Sequence, residues 1–154
     1  MLSEDAIRAI EGVIKRYSEK RGGLLPTFHI VQKDRGWISE EAIEEIARIL
    51  DIPPIEVKEA VSFYTMFNTR EVGKYHIQVC TNLSCSLLGG RHIVDYLERR
   101  LGVDVGKTRE DKRFTLSEVE CLGSCGTAPV MQINEDYYEN LTEDKIDRII
   151  GSLA

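Results

Sequence analysis

The chain has 154 residues, of which 42% are hydrophobic and 30% charged, with a net charge of −6. A protein of this length buries roughly 70% of its unfolded surface, so one domain or two small ones can each form a core. The acidic balance argues against nucleic acid as a partner, and no stretch reaches the ~20 apolar residues that would insert into a membrane.

Residues 1–70 are predicted to form a small helical bundle, because apolar residues recur there every three or four positions. The predicted helix starts lie at Ser3, Pro26, Ser39 and Pro54. The first helix is expected to run to Arg21, where two glycines end it. An aromatic run at 63–67 follows the fourth helix. It is expected either to pack this bundle onto the next domain or to form a partner-binding surface.

Residues 71–154 show a different pattern, which begins with alternating apolar and polar residues from about 74 to Cys80. The predicted order is strand, helix, strand, strand, strand, helix. A strand-helix-strand unit implies parallel neighbours, and the closing hairpin adds antiparallel strands. We therefore predict a mixed four-stranded sheet with flanking helices, as in a thioredoxin-like fold, behind an N-terminal helical domain.

The four cysteines of the chain form two close pairs, Cys80 with Cys85 (C-x4-C) and Cys121 with Cys125 (C-x3-C). Both pairs follow predicted strands, so they are expected in loops at the same edge of the sheet. In a reducing compartment, clustered thiols are more often metal ligands or catalytic groups than disulfides. Two chelating pairs could converge on a single metal centre.

The spacing of these pairs favours a [2Fe-2S] cluster, which needs two thiolates on each of two irons. A zinc-binding structural module remains the alternative, although zinc ligand pairs most often have two residues between the cysteines. A [4Fe-4S] cluster ordinarily takes its cysteines from one dense run and a remote residue. A dithiol oxidoreductase would be expected to show C-x-x-C, which the chain lacks.

Several longer motifs resemble the thioredoxin-like [2Fe-2S] ferredoxin subunit of respiratory complex I, the 24-kDa or E-subunit family of NADH dehydrogenases. The motifs are CT at 80–81, CSLLG at 85–89, CLGSC at 121–125 and APVMQIN at 128–134, with LLP at 24–26 and FYTMFN at 63–68 upstream. The resemblance thus covers nearly the whole chain.

The resemblance implies one [2Fe-2S] cluster held by Cys80, Cys85, Cys121 and Cys125. It also implies a partner flavoprotein subunit that binds FMN and NAD(H) and exchanges single electrons with the cluster. The sequence has no Walker A motif and no G-x-G-x-x-G after a strand, so the chain alone is expected to be non-catalytic.

Subunits of this kind serve complex I, NAD(P)-linked and bifurcating hydrogenases and formate dehydrogenases, and nothing in the sequence separates these hosts. The first residues lack the basic tip and apolar run of a secretory signal. The expected location is the cytoplasm, including the cytoplasmic side of a membrane-bound complex.

Overall fold

Hydrophobic residues form separate cores on either side of a division between Glu71 and Val72. The computed structural model describes residues 1–153. The sequence places the boundary between residues 70 and 71. Within the described residues, no helix combines the length and apolar character that crossing a membrane requires.

The first unit consists of four helices and a short 3-10 turn. The helices are α1 (Glu4–Ile14), α2 (Leu24–Arg35), α3 (Glu40–Leu50) and α4 (Pro54–Phe63), and the turn is Lys20–Gly23. The side chains of Ser3 and Ser39 cap α1 and α3 by accepting hydrogen bonds from backbone N–H groups. Gly36 ends α2 in the left-handed conformation, with φ +82°.

Helix α1 is shorter than predicted, because it ends at Ile14 and not near Arg21. The chain then turns back into the 3-10 turn, where Gly23 packs closely against Ile14. A Cβ atom on Gly23 would lie 2.9 Å from the Ile14 side chain. The residues that continue the apolar pattern from Ile14 to Tyr17 therefore lie outside the helix, and the Tyr17 side chain is exposed.

The aromatic run at 63–67, which begins at the last residue of α4, divides into buried and exposed residues. Phe67 is buried in the core of the first unit, where its ring lies 5.0 Å from that of Phe28 in an edge-to-face arrangement. Phe63 and Met66 are exposed. Phe67 thus stabilises the helical unit itself.

The second unit is a mixed sheet with flanking helices, which confirms the predicted fold class. The strands are β1 (Tyr75–Cys80), β2 (Lys107–Thr108), β3 (Phe114–Val119), β4 (Met131–Ile133) and β5 (Asp136–Tyr138), in the order β2-β3-β1-β4-β5. The helices are α5 (Leu83–Leu87), α6 (Gly90–Leu101) and α7 (Glu143–Ser152), and a 3-10 turn spans Cys125–Thr127. The additional strand, which the sequence did not predict, is β2. It has two residues and lies where a polar connection was expected.

Strand β1 is the centre of this sheet and pairs in parallel with β3 and antiparallel with β4. Ile77 and Val79 of β1 are fully buried, as are Leu97 of α6 and Ile146 of α7. These side chains belong to one core, which fixes β1 in the sheet. The carboxyl end of this central strand therefore gives Cys80 a well-defined position.

Candidate metal centre

The parallel pairing of β1 and β3 brings the two cysteine segments to the same edge of the sheet. Cys80, the last residue of β1, lies opposite Val119, the last residue of β3. The Thr81 N–H donates to the Val119 carbonyl at 3.1 Å, so the two strand ends leave the sheet side by side. Cys121 follows within two residues, as the sequence predicted for the second pair.

Cys85 lies on the short helix α5, and the prediction of a loop at this position was wrong. The Asn82 side chain begins the helix by accepting the Leu83 N–H at 2.8 Å. The Ser86 hydroxyl donates to the Thr81 carbonyl at 3.1 Å and ties the helix back to the end of β1. Cys85 consequently faces the protein interior and is only 2% exposed.

The Cys80 thiol interacts with the thiols of both Cys85 and Cys121. Burial raises the pKa of Cys80, but hydrogen bonds from the N–H groups of Asn82 and Leu122 lower it. The two neighbouring thiols lower it further, and the net pKa lies below the ordinary value. This sulfur is thus already surrounded by donors that favour a thiolate.

For the Cys85 thiol, the net effect of its surroundings on the pKa is the opposite. Burial and the hydrogen bond with Cys80 raise the pKa of Cys85 to about 11, although the Val130 N–H acts in the other direction. The negative charges of Cys80 and Cys125 contribute to the increase. A bound metal would reverse this effect, since metal-coordinated thiols are deprotonated.

Gly90 fixes the distance between the two segments that hold Cys80 and Cys85. A Cβ atom on Gly90 would lie 2.9 Å from the Cys85 carbonyl oxygen and 3.0 Å from the Cys80 carbonyl oxygen. Both neighbours are backbone atoms, which cannot move without moving the cysteines. Only glycine allows helix α6 to begin this close to the first cysteine pair.

The second cysteine pair lies in an exposed segment that folds back on itself. Gly123 has φ +72°, and its N–H donates to the Cys121 sulfur at 3.3 Å. The Tyr137 hydroxyl of β5 donates to the Leu122 carbonyl at 3.1 Å. Cys121 and Cys125 are exposed, whereas the first pair is buried. The site therefore has an inner and an outer pair of sulfurs.

The Ala128–Pro129 peptide bond, next to the second pair, is cis. The histidines have other partners: His29 packs on Phe67, His76 contacts Ser117, and His92 contacts Glu143. None of the three is needed as a ligand, because four cysteines complete a four-thiolate site.

The donor set fits a two-iron centre in number and in chemistry. In residues 1–153, no three His, Cys, Asp or Glu side chains converge as ligands of a single ion. A [2Fe-2S] cluster has a different requirement, namely two thiolates on each of two irons. Four free cysteines in an inner and an outer pair supply that number of sulfurs, and backbone N–H groups already point at Cys80, Cys85 and Cys121.

Three supporting residues were not identified from the sequence. The sequence places Gly90 only at the start of a helix and Tyr137 only in a short return strand, and it assigns no role to Glu139, whose carboxylate accepts hydrogen bonds from Ser124 and Thr127. The one local signal was a glycine at the first position of a helix, which can mark a close backbone approach. The contacts of Tyr137 and Glu139 with the second cysteine segment depend on the fold of the hairpin and leave no pattern in the sequence.

Comparison with known proteins identifies the family of the chain. The family model described as thioredoxin-like [2Fe-2S] ferredoxin matches residues 10–154. The E subunit of NADH-quinone oxidoreductase from Rickettsia conorii is 50% identical over 146 residues, which cover 93% of this chain and 87% of that protein. The E 2 subunit of NADH-quinone oxidoreductase from Rhizobium meliloti is 41% identical over 143 residues, which cover 93% and 85%.

A crystal structure of an NAD+-reducing [NiFe]-hydrogenase in the air-oxidized state has a similar fold, with a TM-score of 0.74 at 24% identity. The similarity covers 85% of this chain but only 22% of the hydrogenase chain, and it concerns the fold alone. The family match, in contrast, extends over both units of the present protein. The chain belongs to the thioredoxin-like [2Fe-2S] ferredoxin family, and its cofactor is one [2Fe-2S] cluster.

Proposed function

We propose that this protein is the electron-transfer subunit of a complex I-type NADH:quinone oxidoreductase. Its cluster would be held by Cys80, Cys85, Cys121 and Cys125 and would exchange single electrons with the flavin of a partner subunit. The observation that carries this proposal is the 50% identity, over 93% of the chain, to a protein named as the E subunit of NADH-quinone oxidoreductase.

The cluster, when bound, supplies reversible one-electron transfer. The residues of the chain control the environment in which this electron transfer takes place. The inner cysteines are buried, whereas the exposed outer cysteines leave one side of the site accessible to a partner. The N–H groups of Asn82, Leu122 and Gly123 donate to sulfurs, which eases the addition of negative charge.

The chain is expected to need a partner to oxidise NADH, because its sequence has neither a Walker A motif nor a G-x-G-x-x-G motif after a strand. We propose that this partner is the flavoprotein subunit that binds FMN and NAD(H). The proposed location is the cytoplasm, at the cytoplasmic side of a membrane-bound complex. The relatives support a multisubunit assembly, since each is named as one lettered subunit of an oxidoreductase.

The ligand assignment can be tested with the variants Cys121→Ser and Cys80→Ser. Each should weaken or shift the visible absorption and the EPR signal of the dithionite-reduced protein, because a hard serine oxygen replaces a soft thiolate ligand. The helical unit should stay folded, which far-UV circular dichroism can verify. Ser62→Ala is a matched control in the helical unit and should keep the full spectrum.

Metal analysis of the wild-type protein provides a second criterion. Two irons per chain are expected after anaerobic purification. Unchanged visible and EPR spectra in both cysteine variants would contradict the ligand assignment. A colourless protein with stoichiometric zinc, whether purified with or without air, would contradict the cluster and favour a zinc-binding module.

The partner assignment requires the native assembly. An affinity tag on this chain should co-purify a flavoprotein subunit, and NADH should then reduce the cluster signal of the complex. The isolated chain with NADH is the control and should show no reduction. Co-purification of hydrogenase or formate dehydrogenase subunits would replace complex I as the host, and reduction of the isolated chain by NADH would contradict the need for a flavoprotein.

A further inference from the structure

The turn that holds Cys125 has little support of its own. It is a 3-10 turn of three residues, Cys125–Thr127, with one backbone hydrogen bond, from the Thr127 N–H to the Ser124 carbonyl at 3.1 Å. Cys125 is exposed and is not part of the hydrophobic cores that the described residues form. Something outside the turn must therefore fix the position of its sulfur.

The segment after β5 provides that support. The Glu139 carboxylate accepts hydrogen bonds from the Ser124 hydroxyl and, at 2.7 Å, from the Thr127 hydroxyl. These two residues flank Cys125, and their hydroxyl oxygens lie 2.7 Å apart. The Asn140 N–H donates to the Thr127 carbonyl at 2.7 Å. One carboxylate oxygen thus holds both ends of the turn.

The charge of Glu139 is maintained by its neighbours. Hydrogen bonds from Ser124 and Thr127, together with the positive charge of Lys145, keep the pKa of Glu139 below its ordinary value. The Lys145 ammonium also donates to the Glu139 carbonyl. The carboxylate is therefore ionised at neutral pH, and hydrogen bonds to an ionised acceptor are about twice as strong as neutral ones.

We propose that Glu139 is a positioning residue of the metal centre, which fixes the Cys125 turn through Ser124 and Thr127. Its negative charge also opposes the addition of an electron and holds the reduction potential of the centre low. The inference rests on the proposed function, specifically on Cys125 as a ligand. Nothing in the hairpin itself needs a carboxylate at this place, because the Tyr137 contact already ties β5 to the second cysteine segment.

Three variants separate the hydrogen bonds from the charge. Glu139→Ala removes both, Glu139→Gln keeps an acceptor oxygen but removes the charge, and Thr127→Val removes one hydroxyl at nearly constant shape. Glu135→Gln is the matched control. It removes a carboxylate from the β4–β5 turn, next to the start of β1 and thus at the opposite end of the strand from Cys80.

The measurements are the rate of cluster loss in the presence of a chelator, followed at visible wavelengths, and the reduction potential from an EPR-monitored titration. We expect Glu139→Ala to lose the cluster at least about tenfold faster than wild type, because it removes two hydrogen bonds to a charged group and one such bond alone corresponds to about that factor. Thr127→Val should show a smaller increase. Glu139→Gln should restore most of the lifetime and show a higher potential, whereas Glu135→Gln should match wild type in both.

Wild-type loss rates in both Glu139→Ala and Thr127→Val would overturn the positioning role, and the same potential in Glu139→Gln and Glu135→Gln would overturn the charge effect. If Glu139→Ala does not fold, Thr127→Val and Glu139→Gln decide the question. The variant Cys125→Ser distinguishes a failure of this inference from a failure of the proposed function. An unchanged visible spectrum in Cys125→Ser contradicts the ligand assignment. A changed or lost cluster in Cys125→Ser, together with wild-type loss rates and potentials in the Glu139 variants, contradicts only the inference.

Discussion

The contact between Gly90 and the first cysteine pair leads to a specific prediction for Gly90→Ala. The added Cβ atom would lie 2.9 Å from the Cys85 carbonyl oxygen and 3.0 Å from that of Cys80. Real Cβ atoms do not approach backbone atoms this closely, so helix α6 or the cysteine segments must move. Overpacking of this kind typically costs about 1–3 kcal/mol.

An opposing effect has to be subtracted from that cost. Alanine is more favourable than glycine by about 1 kcal/mol in a helix interior. Gly90 is the first residue of α6, where the gain is smaller. The packing cost is therefore the larger effect, and we expect Gly90→Ala to lower the free energy of unfolding of the second unit by about 1–2 kcal/mol.

The assay is urea unfolding of the full chain, followed by far-UV circular dichroism and by visible absorption. Gly90→Ala should lower the urea midpoint of the cluster signal and change the visible circular dichroism, because both inner sulfurs are displaced. Gly151→Ala is the matched control within α7, since a Cβ there meets no atom within 4 Å. It should be neutral or stabilising. A Gly90→Ala protein with wild-type midpoint and visible spectrum would refute the reasoning.

Other predictions concern one core residue, one helix cap and one exposed ion pair. Leu97→Ala should destabilise the second unit by about 2–5 kcal/mol in urea unfolding, because Leu97 is fully buried. Ser39→Ala should cost the helical unit about 1 kcal/mol by removing the α3 cap, without a change in the visible spectrum. The Arg109 guanidinium and the Arg113 N–H lower the pKa of Asp111 to about 2. Asp111 thus stabilises the fold above pH ~4, the unfolded value, and less so as the pH falls toward 2, where the urea midpoints of wild type and Asp111→Asn should converge.

Much of the fold follows from the sequence because its elements have strong local signals. The caps Ser3 and Ser39 and the left-handed Gly36 mark helix ends through interactions within one turn. The alternation that ends at Cys80 marks the central strand. Strand β2 has two residues and cannot show alternation, so its pairing with β3 decides its structure. Helix α5 has five residues, too few for a helical period, and only Asn82 marks its start.

In the metal centre, too, the sequence reveals some features and not others, for a physical reason. The cysteines are visible in the sequence because metal ligands must be particular residue types at short spacing. Their supports differ: backbone packing against Gly90 fixes the inner pair, and polar contacts from Tyr137 and Glu139 fix the outer segment. These supporting residues have no fixed spacing from the cysteines, so a sequence shows which sulfurs could bind a cluster but not what holds them. The proposed inner ligands thus depend on close backbone packing, whereas the proposed outer ligands depend on hydrogen bonds with side chains of a distant segment.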